Sequence, residues 1–93
     1  MTKSQAEMKF DMAWGEACFQ LKNYPFTEED AIEGYYRKIP IDDRYSIYQS
    51  YDIFSVDRDR SKFSGTYYGH LCVSGWMKYD LFKEMYLSDR GLV

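Results

Sequence analysis

From Ala6 to Leu21 the apolar residues recur at helical spacing. Ala6, Phe10, Ala13, Trp14, Ala17 and Leu21 fall on one stripe at roughly 100° per residue, and Met8, Met12 and Phe19 form a second stripe nearly opposite. Ser4-Gln5-Ala6-Glu7 fits a capping box, with Ser4 as cap and Glu7 reaching back. The helix it opens is predicted to reach about Lys22, where Asn23-Tyr24-Pro25 stops it. A helix on the surface of a small monomer needs one apolar face, not two. The second stripe therefore predicts burial against another layer or against a partner, and self-association through Met8, Met12 and Phe19 is expected.

A second helix start follows at Thr27. Glu28, Glu29 and Asp30 stand where the helix dipole favours negative charge, and Phe26 can staple onto Ala31. Ile32, Tyr35 and Tyr36 continue at helical spacing, Arg37 and Lys38 suit a last turn, and Pro40 is expected to end it.

The block from Tyr45 to Val73 changes character. Read as a strand, YSIYQSY sends Tyr45, Ile47, Tyr51 and Ile53 to one side, and Tyr48, Phe54 and Val56 partly to the other. Asp57 to Ser61 reads as a polar turn. The run from Phe63 to Val73 is rich in aromatic and β-prone residues and carries Gly65 and Gly69, which argue against a helix. Two β-prone runs around a charged turn predict an antiparallel hairpin. Ser74 can then cap a last helix through about Leu87, with Trp76, Leu81, Met85 and either Tyr79 or Phe82 facing inward, ended by Asp89-Arg90-Gly91. The expectation is a small α+β domain spanning residues 1–93: two N-terminal helices, a β-hairpin and a C-terminal helix. An all-α bundle is the alternative, in which YSIYQSY is helical.

Composition narrows the function. The 93 residues are 45% hydrophobic and 19% aromatic, which excludes a disordered chain. Fifteen acidic against twelve basic side chains give a net charge of -3, with the signs interspersed. No Lys/Arg run tracks a phosphate backbone, so duplex nucleic acid is not an expected partner. The opening MTKSQAEMKF lacks the apolar run of a signal peptide, and no stretch approaches a membrane span, so a cytoplasmic protein is expected.

Candidate chemistry is sparse. His70 with Cys72 or Cys18 is the combination nearest to nucleophilic catalysis, but on one strand the side chains of residues 70 and 72 run parallel instead of converging. Cys18, Cys72 and the single His70 match no metal-ligand spacing, and Glu28, Glu29, Asp30 and Glu33 lack the alternation of a calcium loop. Arg58 and Arg60 are offset by Asp57 and Asp59. No catalytic residue, metal or cofactor is expected.

The surplus lies in aromatics. Ten tyrosines, six phenylalanines and two tryptophans exceed what one small core buries, and adjacent pairs such as Tyr35-Tyr36 and Tyr67-Tyr68 cannot both face inward. Tyr45 and Tyr51 are expected to anchor the core while Tyr36, Tyr48 and Tyr68 are offered to a partner. With the acidic groups Glu28, Glu29, Glu33, Asp42 and Asp43, they predict a non-enzymatic module that binds another protein stoichiometrically, as an inhibitor or adaptor of the phage or mobile-element type. A nucleic-acid-handling protein with a basic groove is the fitting target. The alternative is a single-stranded nucleic-acid binder that stacks bases on tyrosine beside Arg37, Lys38, Arg44 and Lys78.

Overall fold

The computed structural model describes residues 1–51, 53–58, 66–70 and 79–92, with the backbone alone described for 53–58 and 66–70. Helix α1 spans Lys3–Asn23 and α2 spans Glu28–Glu33. Strands β1 (Tyr36–Pro40), β2 (Tyr45–Ser50), β3 (Ile53–Arg58) and β4 (Thr66–His70) follow, and then α3 (Tyr79–Asp89). The α+β architecture matches the reading from sequence. The antiparallel element is larger than a single hairpin: the four strands form a meander in the order β1-β2-β3-β4.

The first helix starts one half-turn earlier than expected. Thr2-Lys3-Ser4-Gln5 repeats the capping-box pattern two residues upstream, and it is this box that closes. Thr2 Oγ1 accepts from the Gln5 amide at 3.2 Å, while the Gln5 side-chain oxygen accepts from the Thr2 amide at 2.8 Å. The inward stripe follows the spacing for Ala6, Phe10, Ala13, Trp14 and Ala17, which are buried, while Leu21 at its end is half-buried. Three of these five are alanines, which let the helix axis come close to its neighbours, and α1 packs on α3, β1 and β2. Phe10 and Trp14 fill the space that remains. Phe10 stacks on Trp14 and on Tyr86, each with ring centroids 5.7 Å apart, and Trp14 meets Phe82 at 5.9 Å.

Helix α2 stops short of the expected extent. Thr27 caps it with Asp30, but Gly34 adopts φ 71°, a left-handed conformation that glycine reaches without a Cβ clash. The Tyr35 amide then donates back to the Asp30 carbonyl at 2.9 Å, closing a Schellman turn. The chain leaves extended, so Tyr36 to Lys38 begin β1 instead of ending a helix, and Pro40 closes an edge strand where its missing N–H is tolerated. Alternation fits the strand: Ile39 points to the core and pairs with Ile47. Phe26 packs against Tyr35 and lies 4.2 Å beneath the Arg37 guanidinium, in place of the expected staple to Ala31.

YSIYQSY divides between a strand and a turn. Residues Tyr45 to Ser50 form β2, and the pairing of Ser50 with Ile53 places Tyr51 at the reversal into β3. Tyr51 is therefore an exposed turn residue, not the expected core anchor. Tyr45, Ile47 and Gln49 face the helices, and the buried Gln49 donates from Nε2 to the Ala17 carbonyl at 2.9 Å, tying β2 to α1. Asp57 and Arg58 belong to β3, whereas the rest of the expected turn lies outside the described residues. In α3, Phe82, Tyr86 and Leu87 are buried. Leu81, expected inward, is exposed because the helix turns its Phe82-Tyr86 edge to α1. Gly91 at φ 74° ends α3 as expected, with the Leu92 amide donating to the Leu87 carbonyl at 2.8 Å. The expected Ser74 cap and Trp76 lie outside the described residues.

Two glycine substitutions should move stability in opposite directions. Gly34→Ala forces a Cβ into a left-handed residue and should cost about 1–2 kcal/mol. Gly15→Ala lies on an exposed helical position, where its Cβ meets nothing within 4 Å, and should add about 1 kcal/mol. Urea denaturation of both at low protein concentration checks the pair; equal signs would contradict the assigned backbone conformations.

Candidate interaction surface

Asp42 was an expected surface acid, and the structure corrects this. It sits in the β1–β2 turn with its side chain 1% exposed. Oδ1 accepts from the amides of Arg44 and Tyr45 at 2.8 and 2.9 Å, the geometry by which an aspartate folds its own turn. Oδ2 accepts from the Tyr86 hydroxyl at 2.5 Å and from Arg90 at 2.9 Å. Burial, and then the bond to Asp42, push the Tyr86 hydroxyl pKa well above the ordinary tyrosine value. Beside this cluster the Tyr45 hydroxyl donates to Asp89, and the Tyr45 ring meets Tyr86 edge-on at 5.2 Å. Asp43, next in sequence, is open to solvent and 3.6 Å from Arg90.

A second polar cluster joins α1 to α3. Lys83 Nζ lies 3.0 Å from Asp11 and 3.7 Å from Glu7, and donates to the Tyr79 hydroxyl at 2.9 Å. Tyr79 in turn donates to Asp11. Burial works against the Lys83 charge, but its bonds to Tyr79 and Asp11 outweigh this and hold its pKa up at about 12. Both clusters are occupied with fastening elements together. Burial raises the Cys18 thiol pKa, which leaves it a poor nucleophile at neutral pH. His70 is paired with Ile53 at the end of β4, and Cys72 lies outside the described residues. Among the described residues no group of three or more His, Cys, Asp or Glu is placed to hold a metal ion. No described helix is long and apolar enough to cross a membrane.

The expected partner tyrosines separate. Tyr48 is 4% exposed and packs its ring 5.8 Å from Tyr36, so it is a buried residue and not an offered one. Alternation on β2 indicated its face, but both faces of that strand are buried. Tyr36 is exposed, and the Tyr68 side chain lies outside the described ones. Exposed apolar residues instead concentrate in the segment from the end of α1 through α2 to the start of β1. No residue of α2 is buried. Ile32 is 85% exposed, with Tyr24, Tyr35 and Tyr36 also exposed nearby in the chain, and Glu28, Glu29 and Glu33 stand on the same short helix. From sequence, Ile32 and Tyr35 read only as the helical spacing of a longer α2 and Tyr24 only as part of the stop after α1, so none stands out as a surface residue; Gly34 is the signal that α2 ends early and leaves the segment exposed.

The outer stripe of α1, expected to be buried against another layer or a partner, is exposed in the single chain at Met8, Met12 and Phe19. Along its flank runs a shallow groove of about 530 Å³, lined by Ser4, Glu7, Met8, Asp11, Met12 and Lys83. Compared with known proteins, the chain matches no family model, no curated protein and no solved structure.

The Asp42 cluster yields two expectations. Asp42→Ala leaves Arg90 and Tyr86 without their shared acceptor and should cost about 3–5 kcal/mol, whereas Tyr86→Phe removes one bond to a charged group and should cost about 1.5–3 kcal/mol. Chemical denaturation of each variant measures the difference; an Asp42→Ala protein as stable as the parent would remove the cluster from the core. The pH dependence follows from the raised Tyr86 pKa. Its contribution is fully present below the unfolded-state value of 10.0 and declines as pH rises beyond it, since the unfolded chain then ionises first. Denaturation at pH 9 and at pH 11 should show a smaller loss in Tyr86→Phe than in the parent.

Proposed function

We propose that this chain is a non-enzymatic interaction module of the cytoplasm that acts by stoichiometric binding to another protein. It serves as an inhibitor or adaptor of the kind that phages and mobile elements encode, directed at a nucleic-acid-handling target. The observation that carries this reading is α2, six residues of which none is buried. A segment that contributes nothing to its own core, yet exposes Ile32 with Tyr24, Tyr35 and Tyr36 exposed close by in the chain, has the composition of an interface centre: aromatic and aliphatic side chains among polar ones. Glu28, Glu29 and Glu33 give the same short helix one sign of charge, and Asp43 adds to the acidic surface. The complementary partner is a basic groove containing an apolar pocket, which is the character of a nucleic-acid-binding surface.

One observation favours a second reading. Tyr36 and Lys38 share the outward face of edge strand β1, a small stacking platform with a cation beside it. Short oligonucleotides would then quench tyrosine fluorescence, less so as salt rises; a flat titration removes this alternative.

Affinity capture from a lysate, in nuclease-treated and untreated halves, tests the leading reading. One protein recovered near one-to-one stoichiometry in both halves is the expected result. Capture should fall at least tenfold for Glu28→Lys/Glu29→Lys/Glu33→Lys and for Ile32→Asp, with folding unchanged because all four positions are exposed. Recovery that vanishes with nuclease, or that survives these substitutions, would sink it.

A further inference from the structure

Met8, Met12, Gly15 and Phe19 follow one another at spacings of four, three and four residues. This is the d-a-d-a rhythm of a coiled-coil seam, and the four positions lie within an arc of about 60° on α1. The three side chains on this arc are exposed, and the arc lies opposite the buried stripe that α1 turns to α3 and the sheet. The pairs Lys9 and Glu16 flank the seam on one side at the e positions, and both residues are exposed. Seven residues separate them along the helix, about 10 Å of rise, too far to pair within one chain. Among the described residues neither has an ion-pair partner, although Glu16 accepts a hydrogen bond from Gln20 at 2.8 Å.

We infer that the outer face of α1 binds a second copy of this chain, with the two helices antiparallel about a two-fold axis. Antiparallel pairing sets Met12 against Gly15 of the second copy, so that the thioether side chain enters the gap the glycine leaves. It sets Met8 against Phe19 of the second copy, at the edge of the groove lined by Glu7 and Asp11. Symmetry repeats both contacts, and polar layers of Gln5 against Lys22 close the two ends of the seam. In the same register each Lys9 faces the Glu16 of the other copy, giving two ion pairs of opposite sign. The parallel alternative fails on all three counts. It opposes Gly15 to Gly15 and leaves a void, it stacks Phe19 on Phe19, and it brings Asp11 against Glu16 of the second copy. Edge strand β1, one competing site for self-pairing, is blunted by Lys38 and by Pro40, which has no amide to donate.

Sedimentation equilibrium of the full chain over a wide concentration range tests this. The parent should pass from monomer to dimer. Lys9→Glu and Glu16→Lys each turn two attractions into two repulsions and should each weaken the dimer about tenfold. The double exchange Lys9→Glu/Glu16→Lys should return it to within about twofold of the parent. Met12→Glu should abolish the dimer while leaving the far-UV circular dichroism of the monomer unchanged. A parent that stays monomeric at its highest soluble concentration would overturn the inference. So would a dimer indifferent to either charge reversal, or a double exchange that fails to restore association.

Discussion

The carboxylate of Asp42 is the point at which the two halves of this fold are joined. One oxygen folds the turn between β1 and β2 by accepting two successive backbone amides, and the other holds the far end of α3 through Tyr86 and Arg90. A charge this deeply buried is tolerable because every contact donates to it. The arrangement makes the sheet register and the docking of α3 one cooperative event. The turn cannot reposition without releasing the helix, and the helix cannot slide without stranding the charge. Around this junction the rings of Tyr45 and Tyr86 extend the same seam, and Tyr45 carries its hydroxyl to Asp89 one turn further along.

The second fastening works differently. Lys83 reaches from α3 to Asp11 and Glu7 at the rim, with Tyr79 between, and solvent screens these pairs more than it screens Asp42. It adds orientation to a helix pair whose attraction comes from Phe10, Trp14 and Phe82 in contact. Gln49 completes the set by holding β2 to the backbone of α1. Polar ties thus surround one aromatic core among the described residues, and those of Asp42, Lys83 and Gln49 each join a different pair of elements.

Much of this was legible in the chain, and the boundary between what was and was not is physical. The Phe10-Trp14-Ala17 stripe could be read because helical neighbours are set by spacing alone. The two-sided character of α1 followed from the same periodicity. Thr27 announced α2 because a cap and its acidic first turn are local. Asp42 could not be read, since beside Asp43 and Arg44 it resembles any solvated turn, and its partners lie 44 and 48 residues away. Tyr48 failed for a related reason. Alternation shows which residues share a face, but not that both faces of a strand are covered. Gly34 was visible and was outweighed by the helical spacing of Ile32, Tyr35 and Tyr36; the left-handed turn it permits decides the matter, since no helix continues through it.

The way α2 is built has a consequence for motion. Its six residues are closed by the reciprocal bonds of Thr27 and Asp30 at one end and by Gly34 at the other, and nothing anchors them by burial between. Such a segment opens and recloses on its own, without waiting for the core, so its amides exchange with solvent at a rate set by its caps and not by global stability. A surface carried on that segment can change shape while the aromatic core stays fixed.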